Sequence, residues 1–150
     1  MANHSVKLKS YVDINNEYNA ASAITPGELI EVNSSGKVQA HSSAGENVLP
    51  MFAFEGELQG RAIDDDYDAD DPVQCWIPRT GDEVYAFLAD GENASEGDFL
   101  ESDGAGALQV HTPDGSSTTI YSNQIVGVAL EDLDISGSSG TRQRIKVRII

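Results

Sequence analysis

The densest set of side chains able to do chemistry is Asp64, Asp65, Asp66, Asp68, Asp70 and Asp71, within IDDDYDADDP. Carboxylates at every second position are ligands that a hard cation such as calcium or magnesium takes. The calcium-loop pattern fails, because no glycine stands sixth from any Asp of the run and the twelfth position from Asp64 is Cys75. A solvated acidic loop is the simpler reading. The histidines are His4, His41 and His111. His41 and His111 close two copies of a repeated segment, which suits structural or surface places better than a base matched to one nucleophile; a metal-binding pair is the alternative. Cys75, the single cysteine, lies beside Trp76 in an apolar run. It reads as a buried thiol, and no intrachain disulfide or cysteine-based zinc site is open to it. There is no Gly-x-Ser-x-Gly elbow, phosphate loop or dinucleotide fingerprint. These residues therefore assign no catalytic, cofactor or metal position.

One enzyme family is nevertheless resembled. Ala62-Ile63-Asp64-Asp65-Asp66-Tyr67 is similar to the substrate-binding motif of trimeric dUTP pyrophosphatases, and Pro78-Arg79-Thr80-Gly81 to their phosphate-contacting Pro-Arg-Ser-Gly. The resemblance implies Asp64 as the water-activating residue. The two elements stand in the reverse order here, and SGSSGTR lacks the aromatic of that family's glycine-rich arm. A nucleotide hydrolase is thus an alternative function, and a β-sandwich surface-binding module is another. The single tryptophan leaves such a module few stacking platforms.

The elements that must position these residues announce themselves by repetition. Pro26–His41, PGELIEVNSSGKVQAH, returns seventy residues later as Glu96–His111, EGDFLESDGAGALQVH. Gly27/Gly97, Glu31/Glu101, Gly36/Gly106, Gln39/Gln109 and His41/His111 are identical. Each copy predicts a β-hairpin: a short strand, an Asn/Asp/Ser/Gly turn, and a second strand through Val38 or Leu108. The likeness extends to Phe52-Ala53-Phe54-Glu55 and Val128-Ala129-Leu130-Glu131, with a small shift in spacing. The turns, rich in Ser, Gly and acids, are expected to face solvent.

At 150 residues the chain is expected to be one β domain with a core of its own. Residues 1–24 are either an N-terminal strand or an arm, and residues 141–150 a basic C-terminal strand. The N-terminal stretch lacks the apolar core of a signal peptide, and no apolar run has the length of a membrane span. Alternation also predicts strands at Val6–Ile14 (imperfectly), Val48–Glu55, Val73–Ile77, Glu83–Ala89, Thr119–Tyr121 and Gln124–Glu131. Helical periodicity is nearly absent. The fold class is all-β: a small barrel or sandwich of short strands with an internally repeated hairpin.

Twenty-five Asp and Glu face nine Lys and Arg, a formal net charge of −16. A basic nucleic-acid surface is excluded by that balance. Such acidity suits concentrated salt, where the Debye length falls to about 3 Å at 1 M and self-repulsion is screened; a halophilic source is expected. The charge is also segregated. Lys7, Lys9, Arg142, Arg144, Lys146 and Arg148 lie at the two ends, leaving Lys37, Arg61 and Arg79 among all the acids. In the last strand the four cations take one face, and Ile145, Val147 and Ile149 the other.

The repeat resembles the head decoration proteins of tailed viruses, also called capsid cement proteins. The likeness runs through Ile24–Gln39, Thr80–Val110 and Ile125–Ile150, about half of the chain. It implies a small β-fold, a homotrimer, bound to the major capsid protein on the outer surface of a virion assembled in the host cytoplasm. It also implies no enzymatic activity, no cofactor, no direct nucleic-acid contact and no membrane. The six terminal cations are then the candidate capsid or subunit interface, unless the chain's own acids neutralise them.

Overall fold

The computed structural model describes residues 3–9, 14–116, 119, 121–137 and 140–150. Strand β1 (Lys7–Lys9) precedes β2 (Asn15–Asn19), β3 (Ile30–Val32), β4 (Val38–Ala40), β5 (Phe52–Ala53) and β6 (Pro72–Trp76). Then come β7 (Glu83–Leu88), β8 (Asn93–Ala94), β9 (Phe99–Ser102), β10 (Leu108–Val110), β11 (Ile125–Ala129), β12 (Leu133–Asp134) and β13 (Gln143–Ile149). The one helical element described is a 3-10 turn at Glu57–Gln59. No helix among the described residues is long and apolar enough to cross a membrane.

The C-terminal half closes a five-stranded barrel in the order β7-β10-β9-β11-β13, with β13 returning to β7 over six registered pairs from Gln143↔Leu88 to Arg148↔Glu83. Alternation fills it. Val84, Ala86 and Leu88 of β7 and Ile145, Val147 and Ile149 of β13 are buried together with Leu100 and Leu108. β1 adds to the free edge of β7, and Tyr85 N–H donates to the Val6 carbonyl over 2.8 Å.

The N-terminal half repeats this circuit strand for strand. β2 pairs antiparallel with β6, β6 with β5, and β3 with β4. Single bridges complete the ring: Leu29↔Phe52 joins β3 to β5, and the parallel Ala20↔Val38 joins β4 to β2. The parallel β7–β10 pairing at Leu88↔Leu108 is the counterpart of that second bridge. The bridge Ile24↔Tyr67 likewise matches β8–β12 at Ala94↔Leu133. The duplication seen in the hairpins therefore spans the whole fold. Ala20, Ile24, Ile30, Val38, Met51, Ala53, Tyr67, Val73 and Cys75 form the first barrel's own buried cluster.

The hairpins match to the hydrogen bond. Asn33 Oδ1 accepts from Ser35 N–H and Lys37 N–H (2.9 and 3.2 Å), and Asp103 Oδ1 from Ala105 N–H and Ala107 N–H (2.7 and 2.9 Å). Gly27 N–H donates to Ala53 O at 2.8 Å and Gly97 N–H to Ala129 O at 2.9 Å, which accounts for the shared Phe-Ala-Phe-Glu and Val-Ala-Leu-Glu runs. Both glycines sit near φ +100°, where an L side chain is strained.

Four expectations change. The strand over Val48–Glu55 shrinks to Phe52–Ala53: Pro50 has no N–H to offer, and Glu55 turns its carboxylate inward to accept Val6 N–H at 3.1 Å. Gln124–Glu131 narrows to Ile125–Ala129. Thr119 and Tyr121 are not in a strand, and Ile120 lies outside the described residues, as do residues 10–13 of the N-terminal alternation and 138–139 of the Gly/Ser linker. Lastly, only the first hairpin turn faces solvent. The second packs on the first barrel, where Leu29 N–H donates to Gly106 O at 2.9 Å, and a Cβ on Gly106 would meet Ala40 Cβ at 3.0 Å. Leu29, Phe52 and Trp76, on the outer face of the first barrel, are fully buried in the core they share with the second.

Candidate docking surface

The last strand's cations fall into two classes. Arg142 and Arg144 are structural clamps between the barrels. Arg144 donates to the carbonyls of Pro26 and Ile63 (2.9 and 2.7 Å), lies 2.6 Å from Asp64 Oδ1, and stacks 4.5 Å from the Phe87 ring centre. Its side chain is only 13% exposed. Arg142 stacks on the same ring at 4.1 Å and reaches Glu28 Oε1 at 2.6 Å. Burial raises the Glu28 pKa, and the Arg142 guanidinium opposes that shift. Lys146 and Arg148 are 44% and 51% exposed and pair more loosely with Glu131 (3.8 Å) and Glu83 (3.0 Å). Lys7 Nζ sits 3.9 Å over Phe54 and donates to Asn15 Oδ1, while Lys9 is exposed. The structure thus brings an acid of this chain to each of the four C-terminal cations.

The repeated Glu, Gln and His residues meet in both hairpins. Hairpin register sets Glu31 opposite Gln39 and Glu101 opposite Gln109, and each glutamine amide donates to its glutamate at 2.9 Å. His111 Nδ1 then lies 2.6 Å from Glu101 Oε2, which also accepts from Gln124 at 2.8 Å. In the first copy Glu31 is instead held by Ser42, whose hydroxyl donates at 2.6 Å, and His41 Nε2 stands 3.7 Å away. Burial pushes the Glu31 pKa up, but the Ser42 and Gln39 donors outweigh it and hold the carboxyl below its ordinary range. His41 Nδ1 crosses to Ser102 Oγ at 2.7 Å. Glu31, His41 and Ser102 form a contact chain superficially like a hydrolytic triad, yet Ser102 has no exposed surface and its Oγ already accepts Gly104 N–H. These clusters were within reach of sequence reasoning: a turn that pairs position 31 with 39 also puts 41 on the same face.

Four of the six aspartates of the acidic run are bonded within the fold, Asp64 among them to Arg144. Asp65 caps Ala62 N–H at 2.6 Å, Asp71 accepts from Arg61 at 2.9 Å and from Asp68 N–H at 3.1 Å, and Asp70 pairs with Lys37. The Asp71 pKa is lowered by the Asp68 N–H and by Arg61. Among the described residues no group of three or more His, Cys, Asp or Glu could hold a metal ion. Cys75 is fully buried, and burial pushes its thiol up to about 12, an inert state. The two nucleotide-hydrolase-like elements do not converge. Asp64 meets Arg144, whereas Gly81 N–H bonds to Ile149 O, five residues further along β13 and so roughly 17 Å away.

Exposed apolar surface lies elsewhere. Val32 (44%), Leu49 (65%) and Ile150 (49%) border two open clefts. One, about 490 Å³, runs between the barrels past Val48, Pro50, His111, Tyr121 and Ile125. The other, about 320 Å³, is the unfilled mouth of the first barrel between Asn16, Tyr18, Ile30, Met51 and Ile77. Its counterpart is filled: Asn16 stands where the second barrel has buried Val84. Phe99, on the opposite copy of the Leu29 position, is 51% exposed.

No family model and no curated protein matches the sequence. Among solved structures, the fold is similar to that of the head fiber gp8.5 N base in bacteriophage phi29, with a TM-score of 0.57 over 93% of this chain and 95% of that one. The two share 14% sequence identity, so the likeness is one of architecture carried over nearly the full length of both chains.

Proposed function

We propose that this chain is a virion protein of a tailed virus, a decoration protein that binds the outer surface of the assembled head as a homotrimer and stabilises contacts between major capsid protein subunits. One observation carries the reading: a fold shared end to end with the base of a phage head fiber, in a chain whose repeat resembles decoration proteins. Binding across subunit boundaries stabilises a shell by mass action and needs no chemistry. The residues of the repeated hairpins suit a scaffold, since His41, His111 and Glu101 are bonded within the fold and Cys75 is buried. Of the six terminal cations, Lys146 and Arg148 are the half-exposed ones of the last strand that a partner would meet, and Arg142 and Arg144 act by holding the barrels in register. The excess of acids suits a virus of a halophilic host, in which melting temperature rises from dilute buffer to molar salt.

The test is co-sedimentation of the purified protein with heads lacking it. Saturable binding that raises the heads' resistance to heat is expected; failure to bind in molar salt overturns the proposal. Release of pyrophosphate from dUTP would instead establish the hydrolase.

A further inference from the structure

We propose that copies of this chain join head to tail by repeating, between molecules, the contact that its two barrels make within one. In the internal contact, the Leu29 end of the first barrel's hairpin sits on the turn of the second. Leu29 is fully buried and bonded to Gly106 O, Ala40 lies against Gly106, and Gly45 N–H donates to Ser102 O at 2.9 Å. The duplication assigns each participant a counterpart. Phe99 corresponds to Leu29, Val110 to Ala40, Val32 to Ser102 and Gly36 to Gly106.

Those counterparts form two unmatched halves of the same joint. Phe99 is 51% exposed on the second barrel, with half-buried Val110 beside it. On the first barrel Val32 is 44% exposed where Ser102 is fully buried, and a Cβ on Gly36 would meet nothing within 4 Å. Two of the six large exposed apolar residues described are thus counterparts of groups fully buried at the junction. Scattered exposed apolar residues are ordinary, but these two fall on the two sides of one repeated contact.

Charge fits the same occupant. Internally, Arg142 answers Glu28. The counterpart of Glu28 is Asp98, and that of Arg142 is Asp70, which alone would repel it. Asp70, however, holds Lys37, the residue after Gly36 and the only cation of the first hairpin. Lys37 would bring to Asp98 of the neighbouring copy the positive charge that Arg142 brings to Glu28. The joint uses different surfaces on its two sides, so it is heterologous and propagates until a ring closes. Three chains would give a ring of six barrels; that number rests on the trimer proposed above, while the contact rests on the duplication alone.

The experiment is the mass of the full chain in molar salt, for the native protein, for Val32→Asp and for Phe99→Asp, each first checked for unchanged circular dichroism. A closed oligomer is expected for the native chain and a monomer for each variant. An equimolar mixture of the variants should give dimers, because one chain's intact Phe99 still finds the other's intact Val32 but no second joint can form. Treating a Val32→Cys/Phe99→Cys chain with a bifunctional thiol crosslinker should give a ladder of linked copies on a gel, which serves if either Asp variant misfolds. A monomeric native chain, variants of native mass, or no ladder would overturn the proposal. Should Phe99→Asp keep the native mass and lose head binding, the face docks on the capsid and self-association through it is refuted. Should head binding fail while the ring persists, it is the functional reading that falls.

Discussion

The two hairpins are near-copies in sequence and in hydrogen bonding, yet one ends in water and the other ends in the protein. A Cβ on Gly36 would meet open space, whereas one on Gly106 would meet Ala40 at 3.0 Å and Glu28 at 3.4 Å. Leu29 is fully buried, whereas Phe99 at the same station is half exposed. Local turn chemistry makes the hairpins alike, and position relative to the barrel junction makes their energetics differ. A repeated unit therefore does not have repeated mutational sensitivity.

Leu29→Ala against Phe99→Ala offers the largest test of that difference. Truncating Leu29 should cost about 3 kcal/mol of unfolding free energy, for lost burial and a residual cavity. Phe99→Ala should cost under about 0.5 kcal/mol in the monomer. Chemical denaturation at dilutions that keep the chain monomeric measures both, and equal losses would erase the distinction.

Next is the clamp that fixes the junction. Arg144→Ala removes two carbonyl contacts and an ion pair from a nearly buried guanidinium and should cost about 2–3 kcal/mol. Arg148→Ala, four residues on and half exposed, should cost about 0.5 kcal/mol or less. If the two variants unfold at the same denaturant concentration, the assignment of separate duties along β13 is wrong.

A smaller contrast lies in the turns. An alanine at either glycine must adopt positive φ, near +73° at Gly36 and +84° at Gly106, which costs about 1 kcal/mol. At Gly106 the new methyl also crowds Ala40 and Glu28, adding about 1 kcal/mol. Gly106→Ala should therefore melt below Gly36→Ala.

The smallest effect separates the Glu–Gln–His clusters. The Glu31 carboxyl is held below its ordinary value of 4.5 in the folded state. Its contribution to stability is then complete above pH 4.5 and lost as pH falls through the depressed folded value. Glu31→Gln should accordingly lose less stability than the native chain on acidification below pH 4.5, as followed by urea unfolding at a series of pH values.

Much of the second barrel was legible in the sequence because its signals are local. β13 alternates Ile145, Val147 and Ile149 with cations, and Asp103 marks its turn, as Asn33 does in the first barrel, by side-chain bonds two to four residues long. The sequence leaves β2 open between strand and arm: NNEYN lacks alternation and has only Tyr18 to favour a strand, and it extends because β6 offers a registered partner from Trp76 to Pro72. The Glu–Gln–His clusters were half legible, since the repeat names the residues and the hairpin register implies their meeting. The role of Arg144 was hidden, for its partners Pro26, Ile63 and Asp64 lie about eighty residues or more away in the chain.

By itself the sequence determined the all-β class, the twin hairpins and their turns, the acidic surface and the two-faced final strand. All of these follow from side-chain period, positive-φ glycines and charge, which act within a few residues. Only the tertiary structure decided that the duplication runs through two whole barrels, that the cations of the last strand divide between clamp and surface, and that one hairpin turn is buried while its twin is free. Each of those depends on which outer face packs against which neighbour. Burial there is settled by surfaces far apart in the chain, so identical local segments carry no record of it.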